Sequence, residues 1–130
     1  ALVSQSGFTV VFTPQQQNQV KQLLARFSQS PFSPPTVKEC QAELGEELFA
    51  ALMDQQIFVL VHPEIIFLKK DYEALRSWVE GHFQQQETLT VAEFRDRFNT
   101  SRRYALAFLE HLDGIGITKR DGDFRKLNRR

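Results

Sequence analysis

The segment Thr100-Ser101-Arg102-Arg103-Tyr104 opens the most strongly patterned helix that this sequence predicts. Apolar residues follow it at helical spacing, namely Ala105, Phe108, Leu109 and Leu112. The hydroxyl of Thr100 or Ser101 can cap this helix by accepting a hydrogen bond from a first-turn N–H. Arginines in the first turn are unfavourable by roughly 0.3–1 kcal/mol, because a helix N-terminus carries partial positive charge. The pair therefore indicates either solvated surface side chains or a site where an anion such as phosphate binds.

The residues around this helix predict two further helices and a β-hairpin. Asp71 is placed to cap a first helix, and Thr90-Val-Ala-Glu93 is a capping box that opens a second one. Two short alternating segments, 117–120 and 124–127, follow the third helix and read as strands. Asp121-Gly122-Asp123 between them is a hairpin turn signal.

The first half of the chain predicts the same order of elements. Thr13-Pro14 starts a first helix, Thr36-Val-Lys-Glu39 is another capping box, and a third helix covers about 46–55. Two almost wholly apolar segments, 57–61 and 64–68, predict a buried hairpin. The matching order in the two halves indicates an internal repeat.

This repeat predicts an α+β, mainly helical chain of two tandem winged-helix modules, residues 1–68 and 69–130. The β-rich segment Phe8–Phe12 is expected to be either a strand that completes a sheet or a connection to preceding chain. Because the sequence begins with Ala1 and no Met, we expect it to be a piece of a larger protein.

The net charge of zero hides an asymmetry between the two halves. Residues 1–68 hold three Lys or Arg against six Asp or Glu, whereas residues 69–130 hold 13 against 10. A basic half beside an acidic half is typical of one polyanion-binding unit joined to one scaffolding unit.

Catalytic chemistry is not indicated. The three histidines, His62, His82 and His111, are scattered and lack metal-ligand spacing with Cys, Asp or Glu. No Gly-rich phosphate loop or nucleophile motif is present in the sequence. The single Cys40 cannot form an internal disulfide, which fits a reducing cytoplasm. No apolar run reaches the roughly 18 residues of a transmembrane helix, so we expect no membrane partner.

The bases of the second module concentrate at the start of the third helix and on the hairpin, or wing. Tyr104 adds a ring that can stack on a base or a hydroxyl that can bond a phosphate. The candidate binding residues are Thr100, Ser101, Arg102, Arg103, Tyr104, Lys119, Arg120, Arg125 and Lys126. Side chains alternate along a strand, so one of each adjacent wing pair should face a given ligand. The alternative for the wing is a solvated hairpin face.

The first module lacks these features. Its third helix opens with Glu46-Glu47, which suits the helix dipole and would repel phosphate, and its hairpin is apolar. We therefore predict that this module does not touch nucleic acid and serves as a spacer or docking unit.

Residues 90–127 resemble the last winged-helix module of the bacterial selenocysteine-specific translation elongation factors. The resemblance rests on Thr100-Ser-Arg-Arg-Tyr-Ala105, on Leu109-Glu-His-Leu-Asp-Gly-Ile-Gly116 and on the wing. Residues 10–89 are similar to the preceding module of the same family, so the resemblance covers nearly the whole chain.

The resemblance implies that the final module binds the selenocysteine insertion (SECIS) hairpin of mRNA beside an in-frame UGA codon. It further implies an upstream GTPase, with its GTP and Mg, that brings selenocysteinyl-tRNA to the ribosome. This fragment itself is then no enzyme and needs no cofactor, and we expect a cytoplasmic monomer. Tethering would raise the effective concentration of the factor at the ribosome.

The major groove of A-form RNA is too deep and narrow for a helix to read, so the edge of the third helix and the wing should grip phosphates. Specificity should then come from one or two unpaired bases. One alternative is the DNA-binding module of a transcription regulator, although the apolar middle of the third helix offers little to a DNA major groove. A protein-docking domain without nucleic acid is the other alternative.

Overall fold

The computed structural model describes residues 12–128, together with two short strands before them. These strands, β1 (Leu2–Val3) and β2 (Thr9–Val10), pair antiparallel. The β-rich segment predicted at Phe8–Phe12 thus contains a strand, while Phe8 and Val11 lie outside the described residues. The chain divides into two compact units, Ala1–Lys69 and Lys70–Arg130.

Three helices build the first unit. They are α1 (Pro14–Gln29), α2 (Val37–Leu44) and α3 (Glu46–Asp54). Thr13 and Thr36 cap α1 and α2, and each belongs to a capping box in which the side chain of the third helical residue accepts a hydrogen bond from the backbone N–H of the cap. A single residue, Gly45, joins α2 to α3 with φ at 85°, a conformation that favours glycine.

An antiparallel hairpin of β3 (Phe58–His62) and β4 (Ile65–Leu68) follows these helices. The register shifts between Leu60 and His62. Three consecutive residues of β4 are buried, so both of its faces are covered, as the apolar sequence predicts.

The core of the first unit takes one face from each helix and from the hairpin. Its buried residues are Phe12, Val20, Leu23, Phe27, Cys40, Leu44, Leu48, Phe49, Leu52, Phe58 and Ile66. Phe58 connects the hairpin to the helices, because its ring centroid lies 5.1 Å from that of Phe27 and 6.5 Å from that of Phe49. Burial raises the pKa of the Cys40 thiol to about 12, which makes this residue a small apolar core residue.

The second unit repeats this order. Its helices are α4 (Lys69–Gln85, which starts at the boundary), α5 (Val91–Phe98) and α6 (Arg102–Gly114). Thr90 caps α5 through the predicted capping box. The cap predicted at Asp71 is wrong, because α4 begins at Lys69 and Asp71 lies in its first turn, where a carboxylate suits the helix dipole.

The wing of the second unit belongs to a three-stranded antiparallel sheet. Strands β6 (Thr118–Asp121) and β7 (Phe124–Leu127) form the predicted hairpin. A third strand that the sequence did not indicate, β5 (Leu89–Thr90), pairs with β7, so the order is β5-β7-β6. Three helices and a hairpin in each unit confirm the mainly helical α+β winged-helix fold. None of the described helices has the length and hydropathy that crossing a membrane requires.

Candidate nucleic-acid interface

The first turn of α6 is capped by Ser101. The backbone N–H of Tyr104 donates to Ser101 Oγ over 3.3 Å, and the Ala105 N–H donates to the Ser101 carbonyl over 3.0 Å. The Thr100 N–H turns back to the carbonyl of Arg95 over 3.1 Å. Of the two hydroxyl residues that the sequence offered as a cap, the structure selects Ser101.

The buried face of α6 determines which residues of its first turn are exposed. Ala105, Phe108, Leu109 and Leu112 are fully buried, as their spacing predicts. Arg102 and Arg103 begin the helix on the exposed surface, and Tyr104 is half-buried beside them. The first turn contains no acid, so two guanidinium groups and the positive end of the helix lie together.

The register of the wing assigns its basic residues to faces. Lys119 lies directly opposite Lys126, and Arg120 lies opposite Arg125. Thr118 and Arg125 are buried, so they mark the inner face, and Lys119 and Lys126 therefore share the outer face. Two like charges directly opposite each other destabilise a strand pair, which favours an anion at this position.

Arg120 and Lys126 already have partners within the wing. The Lys126 ammonium lies 3.1 Å from Asp121 Oδ2, and Arg120 Nε donates to the Gly122 carbonyl over 3.1 Å. Both contacts are made by exposed side chains, and a phosphate that binds there can replace either of them at little cost.

Arg125 does not lie on the surface where we expected it. The residue is 1% exposed, and its guanidinium group pairs with Asp113 of α6 over 3.0 Å. The sheet register explains this placement, because Arg125 lies directly opposite the fully buried Leu89 of β5, and directly opposed side chains share one face of a sheet. Arg125 is therefore withdrawn from the candidate interface, and Lys126 is the base of that adjacent pair which faces outward.

A cleft of about 340 Å³ lies beside the two outward lysines. It is lined by Phe83, Gln86, Glu87, Lys119, Lys126 and Leu127. The lining combines two cations, a carboxylate, an amide and an aromatic ring, so this cleft suits a polar, partly anionic ligand.

Two bases that the sequence interpretation missed lie in the last turn of α5. Arg95 pairs with Asp96 over 3.0 Å, and Arg97 is exposed with its guanidinium carbon 5.2 Å from the centroid of the Phe98 ring. Asn99, in the left-handed conformation at φ 51°, turns the chain from α5 into α6. The signal was available, because basic residues suit the negative end of a helix and precede this turn directly.

The corresponding surface of the first unit differs in charge. Its third helix, α3, opens with Glu46 and Glu47 and has no side-chain cap. Its one arginine, Arg26, forms ion pairs with Glu39 at 3.4 Å and Glu43 at 3.1 Å. Among the described residues, no cluster of His, Cys, Asp and Glu could hold a metal ion.

Two consecutive units of three helices and a hairpin define a tandem winged-helix protein. Residues 81–127 match the family model for elongation factor SelB, winged helix. The chain is 28% identical over 110 residues to the selenocysteine-specific elongation factor of Desulfomicrobium baculatum, an alignment that covers 80% of this chain and 17% of that protein.

Among solved structures, the chain is similar to the mRNA-binding domain of elongation factor SelB from E. coli, which was determined in complex with SECIS RNA. The TM-score is 0.67 at 22% identity, with 91% of this chain and 100% of that chain covered. The family model and the relative bear out the predicted resemblance to the selenocysteine-specific elongation factors, most directly over 81–127, and the solved structure shows the same fold.

Proposed function

We propose that the second unit binds a SECIS hairpin in mRNA through the N-terminus of α6 and the wing. The observation that carries this proposal is the first turn of α6, where Arg102 and Arg103 are exposed at the positive end of a helix within the segment that matches the SelB winged helix. The related E. coli domain was solved with SECIS RNA, which supports the choice of RNA as ligand.

The roles of the residues follow from their position and chemistry. Arg102 and Arg103 contact phosphates or a guanine edge, and Ser101, Thr100 and Tyr104 lie beside them to hydrogen-bond the backbone or stack on an unpaired base. The wing adds Lys119 and Lys126 on its outer face, because Arg120 lies opposite Arg125 on the other face, and the last turn of α5 adds Arg97. Because the major groove of A-form RNA excludes a helix, this edge grips the hairpin from outside and reads bases that are splayed from it.

The activity that this chain would tether belongs to other parts of the full-length factor. The chain spans 17% of the length of its relative from D. baculatum, so the tethered activity lies elsewhere in such a protein. We propose that the factor is a cytoplasmic GTPase that carries selenocysteinyl-tRNA to the ribosome, and that this monomeric, cofactor-free part holds it at the hairpin for UGA recoding. The first unit, acidic at its third helix, acts as a spacer or docking unit.

The test is a titration of the fragment into a labelled SECIS hairpin at about 150 mM salt, where weak surface electrostatics is largely screened. A hairpin with a scrambled loop and a duplex DNA serve as controls. Tight binding to the intact hairpin alone supports the proposal and assigns specificity to unpaired bases. Preference for duplex DNA would instead indicate a transcription regulator, and no binding to any of the three would indicate a protein-docking domain.

A further inference from the structure

A buried network of charge and hydrogen bonds joins α6 to both strands of the wing. Arg125 of β7 donates to Asp113 Oδ2 from Nε over 3.2 Å and from Nη2 over 3.0 Å. Thr118, the first residue of β6, donates from its hydroxyl to the other carboxylate oxygen, Asp113 Oδ1, over 2.7 Å. We call these three residues the α6–wing bridge.

The α6–wing bridge is largely buried, so its hydrogen bonds must be well placed to be favourable. The side chains of Arg125 and Asp113 are 2% and 22% exposed, and Thr118 is 1% exposed as a residue. An ion pair removed from water regains its desolvation energy only when both oxygens and the guanidinium donors are well placed. Asp113 also lies in the last turn of α6, where a carboxylate is unfavourable beside the negative end of the helix, and the ion pair with Arg125 offsets this.

Apolar residues of similar volume stabilise a core as well as a buried ion pair does, so stability alone is a weak reason for this arrangement. The bridge instead has a directional consequence. Because neighbouring side chains on a strand face opposite sides, holding Arg125 inward aims Lys126 outward, next to its cross-strand partner Lys119.

We propose that the α6–wing bridge is a positioning device for RNA recognition. It fixes the wing relative to α6 so that Lys119 and Lys126 meet the phosphates of the same hairpin that Arg102 and Arg103 contact. Asp113, Thr118 and Arg125 touch no RNA themselves and act through the lysines. This inference rests on the proposed function for its ligand, whereas its geometric part concerns the protein alone.

The geometric part is tested without RNA. Residual dipolar couplings of the backbone amides report the orientation of β6 and β7 relative to α6 in the free protein. In Asp113→Asn, which keeps the side-chain shape and loses the charge, the wing couplings should no longer fit one fixed orientation, while those of α5 and α6 stay as in the wild type. Unchanged wing couplings would overturn the inference, whatever the RNA result.

The functional part is tested by coupling between substitutions. Lys119→Ala should weaken hairpin binding roughly threefold to tenfold in the wild-type background and less than about twofold in the Asp113→Asn background, because a misplaced wing no longer reaches the phosphate. Arg102→Ala should have the same effect in both backgrounds. An equal loss from Lys119→Ala in both backgrounds would show that the bridge contributes stability alone.

Two further variants keep the test decisive. Glu80→Gln removes the exposed Arg76–Glu80 pair of the same unit, 3.6 Å long, and should change neither the couplings nor the affinity. If Asp113→Asn fails to fold, Thr118→Val leaves the ion pair intact, removes one bond of the bridge and should give the same changes in reduced size. Failure of the wild type to bind the hairpin would reject the proposed function, while the dipolar couplings would still decide the role of the bridge.

Discussion

The third helices of the two units, α3 and α6, occupy the same place in one fold and begin with opposite charge. In α3 the first turn contains Glu46 and Glu47, which suit the positive end of the helix. In α6 the first turn contains Arg102 and Arg103. Cations at this end lower helix stability by roughly 0.3–1 kcal/mol unless an anion is bound. One winged-helix scaffold thus carries opposite charge at the same helix terminus, and we expect the two units to differ in anion binding for this reason.

The largest effect that would test this comparison comes from the cores. Phe27 of α1 and Phe108 of α6 are both fully buried, and truncation of either to Ala should lower the free energy of unfolding of its own unit by about 3–5 kcal/mol. We expect Phe108→Ala to abolish hairpin binding. Phe27→Ala should leave that binding intact at a temperature where the second unit stays folded, and a loss as large as that of Phe108→Ala would show that both units bind.

Fluorescence separates the two units in this experiment. The sequence contains one tryptophan, Trp78 of α4, whose ring centroid lies 5.5 Å from that of Phe98. Urea unfolding followed by Trp78 emission should therefore shift to lower urea in Phe108→Ala and not in Phe27→Ala.

The charges themselves give the next largest effect. Arg102→Ala or Arg103→Ala should weaken hairpin binding by about 1–3 kcal/mol if the residue reads a base, and should lower the salt dependence by roughly one phosphate contact if it neutralises backbone. The matched changes in the first unit, Glu46→Ala and Glu47→Ala, should leave affinity unchanged. Titrations at several salt concentrations distinguish these outcomes, and unchanged affinity in both arginine variants would remove the basis of the proposed function.

Helix capping should affect the two units equally. Thr36 caps α2 and Thr90 caps α5, each through a capping box with a glutamate, and loss of the hydroxyl in Thr36→Ala or Thr90→Ala should lower the free energy of unfolding by about 1 kcal/mol. Urea unfolding followed by circular dichroism measures both. Thr36→Ser and Thr90→Ser, which keep the hydroxyl, should restore most of the stability, and a cost confined to one unit would break the equivalence of the two scaffolds.

The smallest effect is a difference in acid sensitivity. Burial, with a smaller contribution from the Arg76 charge, lowers the pKa of His111 below its ordinary 6.5, and its Nε2 lies 2.7 Å from the Tyr72 hydroxyl. Between the two pKa values, His111 is protonated in the unfolded chain and neutral in the folded second unit. The free energy of unfolding should therefore fall as pH drops below about 6.5. His111→Gln should flatten this dependence in urea unfolding followed by Trp78 emission at about pH 7.5 and pH 5.5.

The first unit should respond to acid in a lower range. The Thr36 backbone N–H, then the Thr36 hydroxyl and Arg26, lower the pKa of Glu39 below its ordinary 4.5. A carboxylate with a lowered pKa stabilises the fold above the unfolded value, and this stabilisation is lost as pH falls below about 4.5. A pH series with Glu39→Gln measures this contribution, and a loss that already begins near pH 6.5 would contradict the assignment.

Local rules predicted most of the fold from the sequence. The capping boxes at Thr36 and Thr90, the apolar face of α6 and the Asp121-Gly122-Asp123 turn each depend on neighbouring residues, and each appears in the structure where the pattern placed it. Such features need no knowledge of distant contacts, which is why they are readable from a single sequence.

The features that the sequence did not reveal depend on contacts between distant segments. Strand β5 is two residues long and exists because Leu89 pairs with Arg125, far along the chain. Arg125 and Lys126 are both basic wing residues in the sequence, and only Asp113 and the sheet register distinguish the buried one from the exposed one. Arg97 was overlooked because it belongs to the last turn of α5, and the left-handed turn at Asn99 that leads from this helix into α6 is not evident from the sequence.

The buried thiol of Cys40 has a practical consequence for spectroscopy. With a pKa raised to about 12, almost none of it is thiolate near neutral pH, and maleimide or nitroxide reagents react with the thiolate of accessible cysteines. A cysteine introduced at the exposed Asp123 in the wing turn would therefore be labelled selectively without removal of Cys40. The native chain thus accepts a single fluorescent or paramagnetic reporter on the wing with its core sequence intact.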